Sequence, residues 1–201
     1  MPRPALTDAQ RRETRRQIRQ AAAQLYTEKG ITDISARSVA KAAGVSVGTI
    51  YTHFENLTEL MQSLWKAPFA RLLRELEEMA ASIDDPKERL RALLEAYIQF
   101  AKEQPGVYRG AFMFVRPESL EKPPRLPLED NPFFSLMRDA IQAGQNQGQF
   151  QAGDPNTQTQ LLWAGIHGSI TLPANIDRLA FAPAEELSSG MIDLLLAWLS
   201  T

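Results

Sequence analysis

Residues 35–54, SARSVAKAAGVSVGTIYTHF, have the layout of two short helices joined by a tight turn. The first helix is predicted over residues 36–43, because Val39 and Ala43 recur at helical spacing and would share one buried face. Gly44 stands where that helix must end, and glycine readily adopts the left-handed backbone of a helix C-cap. The segment therefore predicts a helix that is followed by a sharp turn.

The second helix of the segment is predicted over residues 47–53. Val45 fills the corner of the turn, and Ser46 is a favourable N-cap residue. Two short helices around a glycine-containing turn are typical of the helix-turn-helix, whose second helix enters the major groove of DNA. The aromatic end of the segment, Tyr51-Thr52-His53-Phe54, makes the pattern more specific than these features alone.

Residues 18–64 resemble the N-terminal domain of the TetR family of transcriptional regulators. The resemblance is carried, in chain order, by Gly30, Ser35, Val39-Ala40, Ala43-Gly44-Val45-Ser46, Gly48-Thr49-Ile50-Tyr51 and His53-Phe54. One position departs from the family pattern. Leu57 stands where members commonly have a lysine that contacts a DNA phosphate. The resemblance implies a DNA-binding domain and leaves open whether that phosphate contact is made.

The resemblance also implies which residues contact DNA: Ser35, Arg37, Ser46, Val47, Gly48, Thr49, Tyr51, Thr52 and His53. Arg37 is the candidate for a bidentate contact to guanine. Ser35, at a helix N-terminus, is the candidate for a phosphate contact. Thr49, Tyr51 and His53 are expected to bond phosphates rather than bases. The structural alternatives are that Ser35 only caps its helix and that Tyr51 and His53 form a packed aromatic pair.

The distribution of charge supports a DNA-binding end. Residues 1–56 hold nine Lys/Arg and five Asp/Glu, a net charge of +4. The remaining residues hold 13 Lys/Arg and 19 Asp/Glu, a net charge of −6. A basic end suits a protein that contacts a polyanion, although an arginine-rich helix can also be a solvated face. The chain has no cysteine, no signal-peptide pattern and no apolar stretch long enough for a membrane span. A soluble cytoplasmic protein without disulfides is expected.

An all-α chain is predicted, with a DNA-binding domain over residues 1–56 and an effector-binding and dimerisation domain over residues 57–201. Nine helices are expected, approximately over residues 7–29, 36–43, 47–53, 56–82, 86–103, 105–115, 131–148, 155–172 and 183–199. Three of their starts place a capping Asp or Asn before a proline: Asp85-Pro86, Asn131-Pro132 and Asp154-Pro155. Pro68 lies inside the fourth helix and is expected to kink or divide it.

The C-terminal two thirds resemble one branch of TetR-like regulatory domains. The marks are Asp85-Pro86, Arg89-Leu90, Tyr97, Phe100-Ala101, Pro105, Tyr108-Arg109 and the Trp-x-x-x-His-Gly pattern of residues 163–168. In that family the fifth to seventh helices surround the effector cavity. The resemblance implies a small, mostly apolar effector that contacts Tyr97, Phe100, Tyr108, Phe112, Phe133, Phe134, Met137 and Trp163. The alternative is that these side chains only fill the core.

A homodimer interface is predicted on the last two helices. The residues assigned to it are Leu161, Gly165, His167, Gly168, Leu194, Leu195 and Trp198. These helices carry more leucines than is usual for helices that face water, and the glycines permit close approach between helices. Two such helices from each copy would form a four-helix interface. For His167, contact with the effector is the alternative.

Taken together, these patterns predict a TetR-like regulator that needs no cofactor or metal. It is expected to be a repressor that a small-molecule effector releases from a palindromic double-stranded operator. One alternative is a regulator of the same fold that a partner protein controls. A helical enzyme is the other alternative, and it is disfavoured because the chain has only two histidines, no cysteine, no Gly-x-Ser-x-Gly and no phosphate-binding loop.

Overall fold

The structure, a computed structural model, describes residues 7–29, 34–112 and 127–200. Within these ranges the fold is all-α, as predicted, with nine α-helices and one short 3₁₀ turn at Leu128–Asp130. The helices are α1 Asp8–Lys29, α2 Ala36–Ala43, α3 Val47–His53, α4 Leu57–Ser82, α5 Pro86–Glu103, α6 Pro105–Phe112, α7 Pro132–Asn146, α8 Pro155–Asn175 and α9 Ala184–Leu199.

The chain forms two compact units. Of the described residues, the N-terminal unit holds 7–29, 34–69 and 106–112, and the C-terminal unit holds 70–105 and 127–200. The helix α4 continues across Pro68, so the predicted division of this helix does not occur. The boundary between the packing units falls directly after Phe69, close to that proline. The predicted boundary at residue 56 separates a DNA-binding domain from an effector-binding domain. This functional division stays a prediction.

The core of the N-terminal unit joins α1, α2, α3 and the first half of α4. Its fully buried members include Ile18, Ala22, Val39, Ile50, Phe54 and Leu60. Burial of these apolar side chains holds the two short helices, which could not be stable alone. Leu57, the residue that departs from the family pattern, packs partly buried against this core. Its apolar side chain therefore has a packing role.

Three helix starts in the C-terminal unit are capped as the sequence predicts. The side chain of Asp85 accepts a hydrogen bond from the Glu88 N–H at 2.9 Å, and that of Asn131 accepts one from the Phe133 N–H at 3.0 Å. The carboxylate of Asp154 likewise accepts two N–H groups of α8. These side chains satisfy backbone donors that the first turn of a helix leaves unpaired.

Other helix ends differ from the prediction. The helix α4 begins at Leu57 because Asn56 is its cap, accepting a bond from the Glu59 N–H at 2.8 Å. The helix α8 continues to Asn175, past the predicted end at residue 172, although Pro173 lies within it. A proline near a helix end interrupts only one or two backbone bonds, so the last turn survives. The predicted end of the sixth helix, at residue 115, lies outside the described residues.

In the C-terminal unit, α5 packs against α7, α8 and α9, and α8 packs against α7 and α9. The buried core of this unit includes Leu90, Leu94, Tyr97, Ile141, Leu162 and Leu196. Two exposed ion pairs, Arg91–Asp193 at 2.9 Å and Lys102–Glu185 at 3.0 Å, join α5 to α9. Exposed pairs contribute little, so the apolar core holds these helices together. None of the described helices is long and apolar enough to cross a membrane.

Candidate DNA interface and aromatic cluster

The turn between α2 and α3 has the predicted local chemistry. Gly44 has a φ of +64°, and its N–H bonds carbonyls of the last turn of α2. The Ser46 hydroxyl accepts a hydrogen bond from the Thr49 N–H at 3.0 Å, which caps α3. The Ser35 hydroxyl accepts one from the Ser38 N–H at 3.0 Å, which caps α2. The three predicted caps therefore fix the geometry of the helix pair.

Most of the residues predicted to contact DNA are exposed on or beside α2 and α3. The exposed ones are Ser35, Arg37, Ser46, Val47, Gly48, Tyr51 and Thr52, and the half-buried ones are Thr49 and His53. Tyr51 is 52% exposed, a large value for an aromatic side chain. Arg37 forms no ion pair within the described parts of the chain. The helices α2 and α3 thus offer an exposed phenol and a guanidinium that has no ion pair among the described residues.

His53 differs from its exposed neighbours. Its Nε2 atom is buried and has no hydrogen-bond partner among the described residues. Burial lowers the pKa of His53, and the positive charges of Arg15 and Arg11 lower it further. The ring is therefore neutral at neutral pH. If His53 contacts a DNA phosphate, its neutral ring would donate a hydrogen bond to it. The assignment of His53 to DNA stays a prediction.

Arg15 of α1 joins the end of α3 to the start of α4. Its guanidinium donates to the His53 carbonyl, and it donates to Glu59 Oε1 at 2.8 Å. The guanidinium carbon lies 4.0 Å from the centre of the Phe54 ring, within the range of a cation–π contact. The Glu59 carboxylate also accepts the Glu55 N–H at 2.6 Å. Sequence reasoning missed Arg15 because no local pattern connects residues 38 and 44 positions apart.

A cluster of aromatic side chains lies in the C-terminal unit. The indole N–H of Trp163 donates to the Tyr97 hydroxyl oxygen at 3.3 Å, and this oxygen lies 2.8 Å from His167 Nδ1. The Trp163 ring also stacks on His167, with ring centres 4.9 Å apart. Phe133 and Phe134 complete the cluster through edge and tilted contacts with Tyr97, Trp163 and each other. Four of the predicted effector residues are thus brought together around His167.

The other four predicted effector residues are divided between the two units. Tyr108 and Phe112 belong to the N-terminal unit, where their rings are 5.4 Å apart and Phe112 also contacts Phe69 at 5.7 Å. Phe100 lines a separate cleft of about 170 Å³ between α4 and α5. Met137 is almost fully buried in the C-terminal unit. The assignment of these eight residues to one effector site stays a prediction.

The exposed apolar residues of α8 and α9 fit the predicted dimer interface. Leu161, Leu194 and Trp198 are 51%, 63% and 41% exposed. A Cβ atom at Gly168 would meet no other atom within 4 Å, so the helix surface there is open. Burial of such side chains against a second copy would be favourable.

Three other residues assigned to the interface have contacts within the chain. A Cβ atom at Gly165 would lie 3.2 Å from the Leu195 side chain, so these two residues pack α8 against α9. His167 is directed towards Tyr97. The assignment of His167 to the dimer interface, with effector contact as the alternative, stays a prediction.

We expect His167 to make stability depend on pH. Burial lowers its pKa below the ordinary value of 6.5. The unfolded chain therefore binds the proton first, and stability should fall as the pH is lowered through about 6.5 to the folded pKa. The thermal midpoint should drop less in His167→Gln than in the unchanged chain between about pH 7.5 and 5.5. His53 is present in both proteins, so equal drops would contradict the assignment to His167.

Two family matches cover the N-terminal and the C-terminal parts of the chain. Residues 18–64 match the family described as bacterial regulatory proteins, tetR family. Residues 90–195 match the family described as tetracyclin repressor-like, C-terminal domain, and this match alone covers more than half of the chain. The chain belongs to the TetR family. Both resemblances to TetR domains that the sequence predicts are thereby confirmed.

Two TetR-family relatives match different lengths of the chain. The HTH-type transcriptional regulator AcrR of Shigella flexneri is 35% identical over 89 residues, which are 44% of this chain and 41% of AcrR. The chain thus matches less than half the length of that relative. The fatty acid metabolism regulator protein of Bacillus subtilis is 23% identical over 189 residues, 94% of this chain and 96% of the relative.

A solved TetR-family structure has the same fold. The transcriptional regulator FadR from Bacillus subtilis, in complex with stearoyl-CoA, superposes with a TM-score of 0.71 at 21% identity. The superposition covers 92% of this chain and 98% of FadR. The family matches confirm the prediction of a TetR-type DNA-binding regulator. The relatives named above are regulators rather than enzymes.

Proposed function

We propose that this TetR-family regulator is a repressor that binds a palindromic operator as a homodimer. The observation that carries the proposal is the exposed surface of α2 and α3, where Arg37 and Tyr51 are free to contact DNA. Arg15 and three helix caps hold that surface in one geometry. A rigid reading surface loses little entropy on binding, which favours affinity for DNA. Such a regulator acts in the cytoplasm, where bacterial DNA lies.

The dimer is supported by the exposed leucines and tryptophan of α8 and α9. Leu161, Leu172, Leu194 and Trp198 are each more than 40% exposed, which is costly for large apolar side chains that face water. A second copy would cover them with the same surface, as two-fold symmetry requires. Two reading heads would then contact two half-sites one helical turn apart.

The effector is proposed to be small and mostly apolar, and to bind beside Tyr97, Phe133, Phe134, Trp163 and His167. The support is their grouping in one aromatic cluster with a single polar centre, the Tyr97 hydroxyl. Apolar walls with a few placed polar groups are typical of ligand sites. The relative FadR was solved with stearoyl-CoA, an acyl ligand with a long apolar part. Release of the operator would follow if the effector binds the DNA-free form more tightly.

Selection of DNA from a random-sequence library tests the proposal. The protein is expected to enrich a palindrome with two half-sites, whereas enrichment of no sequence would contradict operator binding. Release by effector is tested separately, by adding extracts of the host's small molecules to the protein–operator complex. Loss of the complex supports repression that is relieved by a ligand.

Replacing Arg37 with alanine is expected to cost about 1–3 kcal/mol per half-site and to relax base preference at one operator position. Tyr51→Phe should instead weaken binding equally for all sequences, because a phosphate contact carries no base information. Competition binding with operators varied at each position measures both effects. Arg178→Ala, at an exposed arginine of the C-terminal unit, is the matched control. Unchanged base preference in Arg37→Ala would show that another residue reads that base.

A further inference from the structure

A cleft of about 400 Å³ lies in the N-terminal unit, on the side formed by α1, α4 and the start of α6. The helix α1 contributes Arg19 and Tyr26, α4 contributes Leu64 and Trp65, and α6 contributes Gly106. All residues that line it belong to the N-terminal unit, whereas the aromatic cluster around Tyr97 belongs to the C-terminal unit. Its volume is within the range of small-molecule sites.

The wall of the cleft is aromatic and held in place. Tyr26 and Trp65 meet edge to face, with ring centres 5.0 Å apart. The Trp65 indole fits against Gly110 of α6, where a Cβ atom would lie only 2.3 Å from it. Leu64 adds an apolar surface beside these rings. Such a wall suits a flat apolar group, which can pack against the ring faces and edges.

The charged side chains that line the cleft are all positive. Arg16 and Arg19 line it, and Arg109 lines an adjoining cleft of about 270 Å³ that shares Tyr26 and Gly106. No aspartate or glutamate is among the described residues that line either cleft. This arrangement favours an anion.

The three arginines differ in what they already bind. Arg16 pairs with Glu13 at 2.6 Å on the exposed surface of α1. The Nε atom of Arg19 is buried and has no hydrogen-bond partner among the described residues. A buried guanidinium N–H without an acceptor is costly, and a bound anion would satisfy it with a charge-assisted hydrogen bond. Arg109 forms no ion pair in the described part of the chain.

We propose that this cleft binds a small organic anion with a flat apolar body, of the class of aromatic carboxylates. The apolar body packs on Tyr26 and Trp65, and the carboxylate bonds Arg19, with Arg109 at the adjoining end. This site is additional to the proposed effector cluster and does not depend on it. The walls of the cleft come from α1 and α4, which also pack against α3. A ligand bound in the cleft could therefore affect DNA binding directly, through the N-terminal unit.

Fluorine NMR of the full chain labelled with 5-fluorotryptophan tests the proposal. The chain has three tryptophans, Trp65, Trp163 and Trp198, so Trp65→Phe assigns the signal that reports on the cleft. The probes are 2-naphthoate and its uncharged amide, 2-naphthamide, which share one shape. We expect naphthoate to shift the Trp65 signal in a saturable way and to bind about tenfold more tightly than the amide, as a charge-assisted bond implies.

Variants locate the two parts of the site. Arg19→Gln should abolish the tenfold preference for naphthoate, whereas Arg12→Gln, at an exposed arginine of α1 outside the cleft, should leave it unchanged. Gly106→Leu should prevent binding of both probes by filling the cleft, and it is tolerated because a Cβ there meets no atom within 4 Å. Trp163 and Trp198 report only on the C-terminal unit. The folding of each variant is therefore checked by its far-UV circular dichroism spectrum and thermal unfolding, which should match those of the unchanged chain.

Three results would overturn the proposal. The first is that neither probe shifts the Trp65 signal, and the second is that both probes bind equally well to the unchanged chain. The third is that Arg19→Gln weakens operator DNA binding but leaves naphthoate binding intact. In that case the arginines of the cleft serve DNA phosphates rather than a small anion.

Discussion

Replacing Phe54 with alanine is expected to lower the free energy of unfolding by about 3–5 kcal/mol and to abolish operator binding. Phe54 is 1% exposed at the end of α3, and its ring lies beneath the Arg15 guanidinium. The substitution leaves a cavity between α1, α3 and α4 and removes the cation–π contact. The helix α3 has seven residues and depends on such packing, so its position should be lost. Denaturant unfolding followed by circular dichroism measures the effect.

Tyr51→Ala is the matched control, because Tyr51 lies on the same short helix but is 52% exposed. Its removal should change the free energy of unfolding by less than about 0.5 kcal/mol, as for ordinary surface positions. Operator affinity should still fall. Comparable loss of stability in both variants would mean that the aromatic end of α3 is a packed pair, the structural alternative to DNA contact.

Replacing Gly168 with tryptophan is expected to convert the proposed dimer into folded monomers and to lower operator affinity about 100-fold or more. A side chain at residue 168 meets no other atom of its own chain nearby, so the monomer keeps its fold. In a dimer the same side chain would hold α8 away from its symmetry mate. Each monomer then contacts one half-site and loses the gain in affinity that comes from linking two. Sedimentation velocity measures the mass, and gel shift measures the affinity.

The control for Gly168→Trp is Ala81→Trp, which adds the same side chain at an exposed position of α4. This variant should remain dimeric and bind the operator normally. A dimer that persists in Gly168→Trp would place the interface elsewhere. Gly165→Trp is unsuitable as a test, because the side chain would collide with Leu195 within the chain.

The helix starts could be predicted from the sequence because their signals are local. Asp85 and Asn131 cap the residues directly after them, and Gly44 supplies a backbone conformation that few other residues adopt. The same holds for the helix-turn-helix, whose caps and buried face all lie within 20 residues. The end of α8 was predicted too early because Pro173 is a weaker stop near the end of a helix than in its middle.

The grouping of side chains into sites could be predicted only in part. Helical periodicity indicates that Tyr97 and Tyr108 are both buried, but it does not indicate that they belong to different units. Likewise, the sequence places His167 and Gly168 on α8 without giving the direction of the histidine ring. Arg15 reaches partners more than 35 positions away, and no short-range pattern signals such a contact. These arrangements depend on tertiary packing, which single-sequence patterns do not specify.

The N-terminal unit is assembled from two separate stretches of chain, and this limits how regulators of this family can be recombined. A chimeric protein that receives residues 1–69 alone would leave behind α6, whose Gly110 fits against Trp65. Any recipient with a larger side chain at that position would collide with the transplanted indole. Residues 106–112 should therefore be transferred together with the helix-turn-helix. Exchanging only the exposed side chains of α2 and α3 would be the alternative route to a new operator specificity.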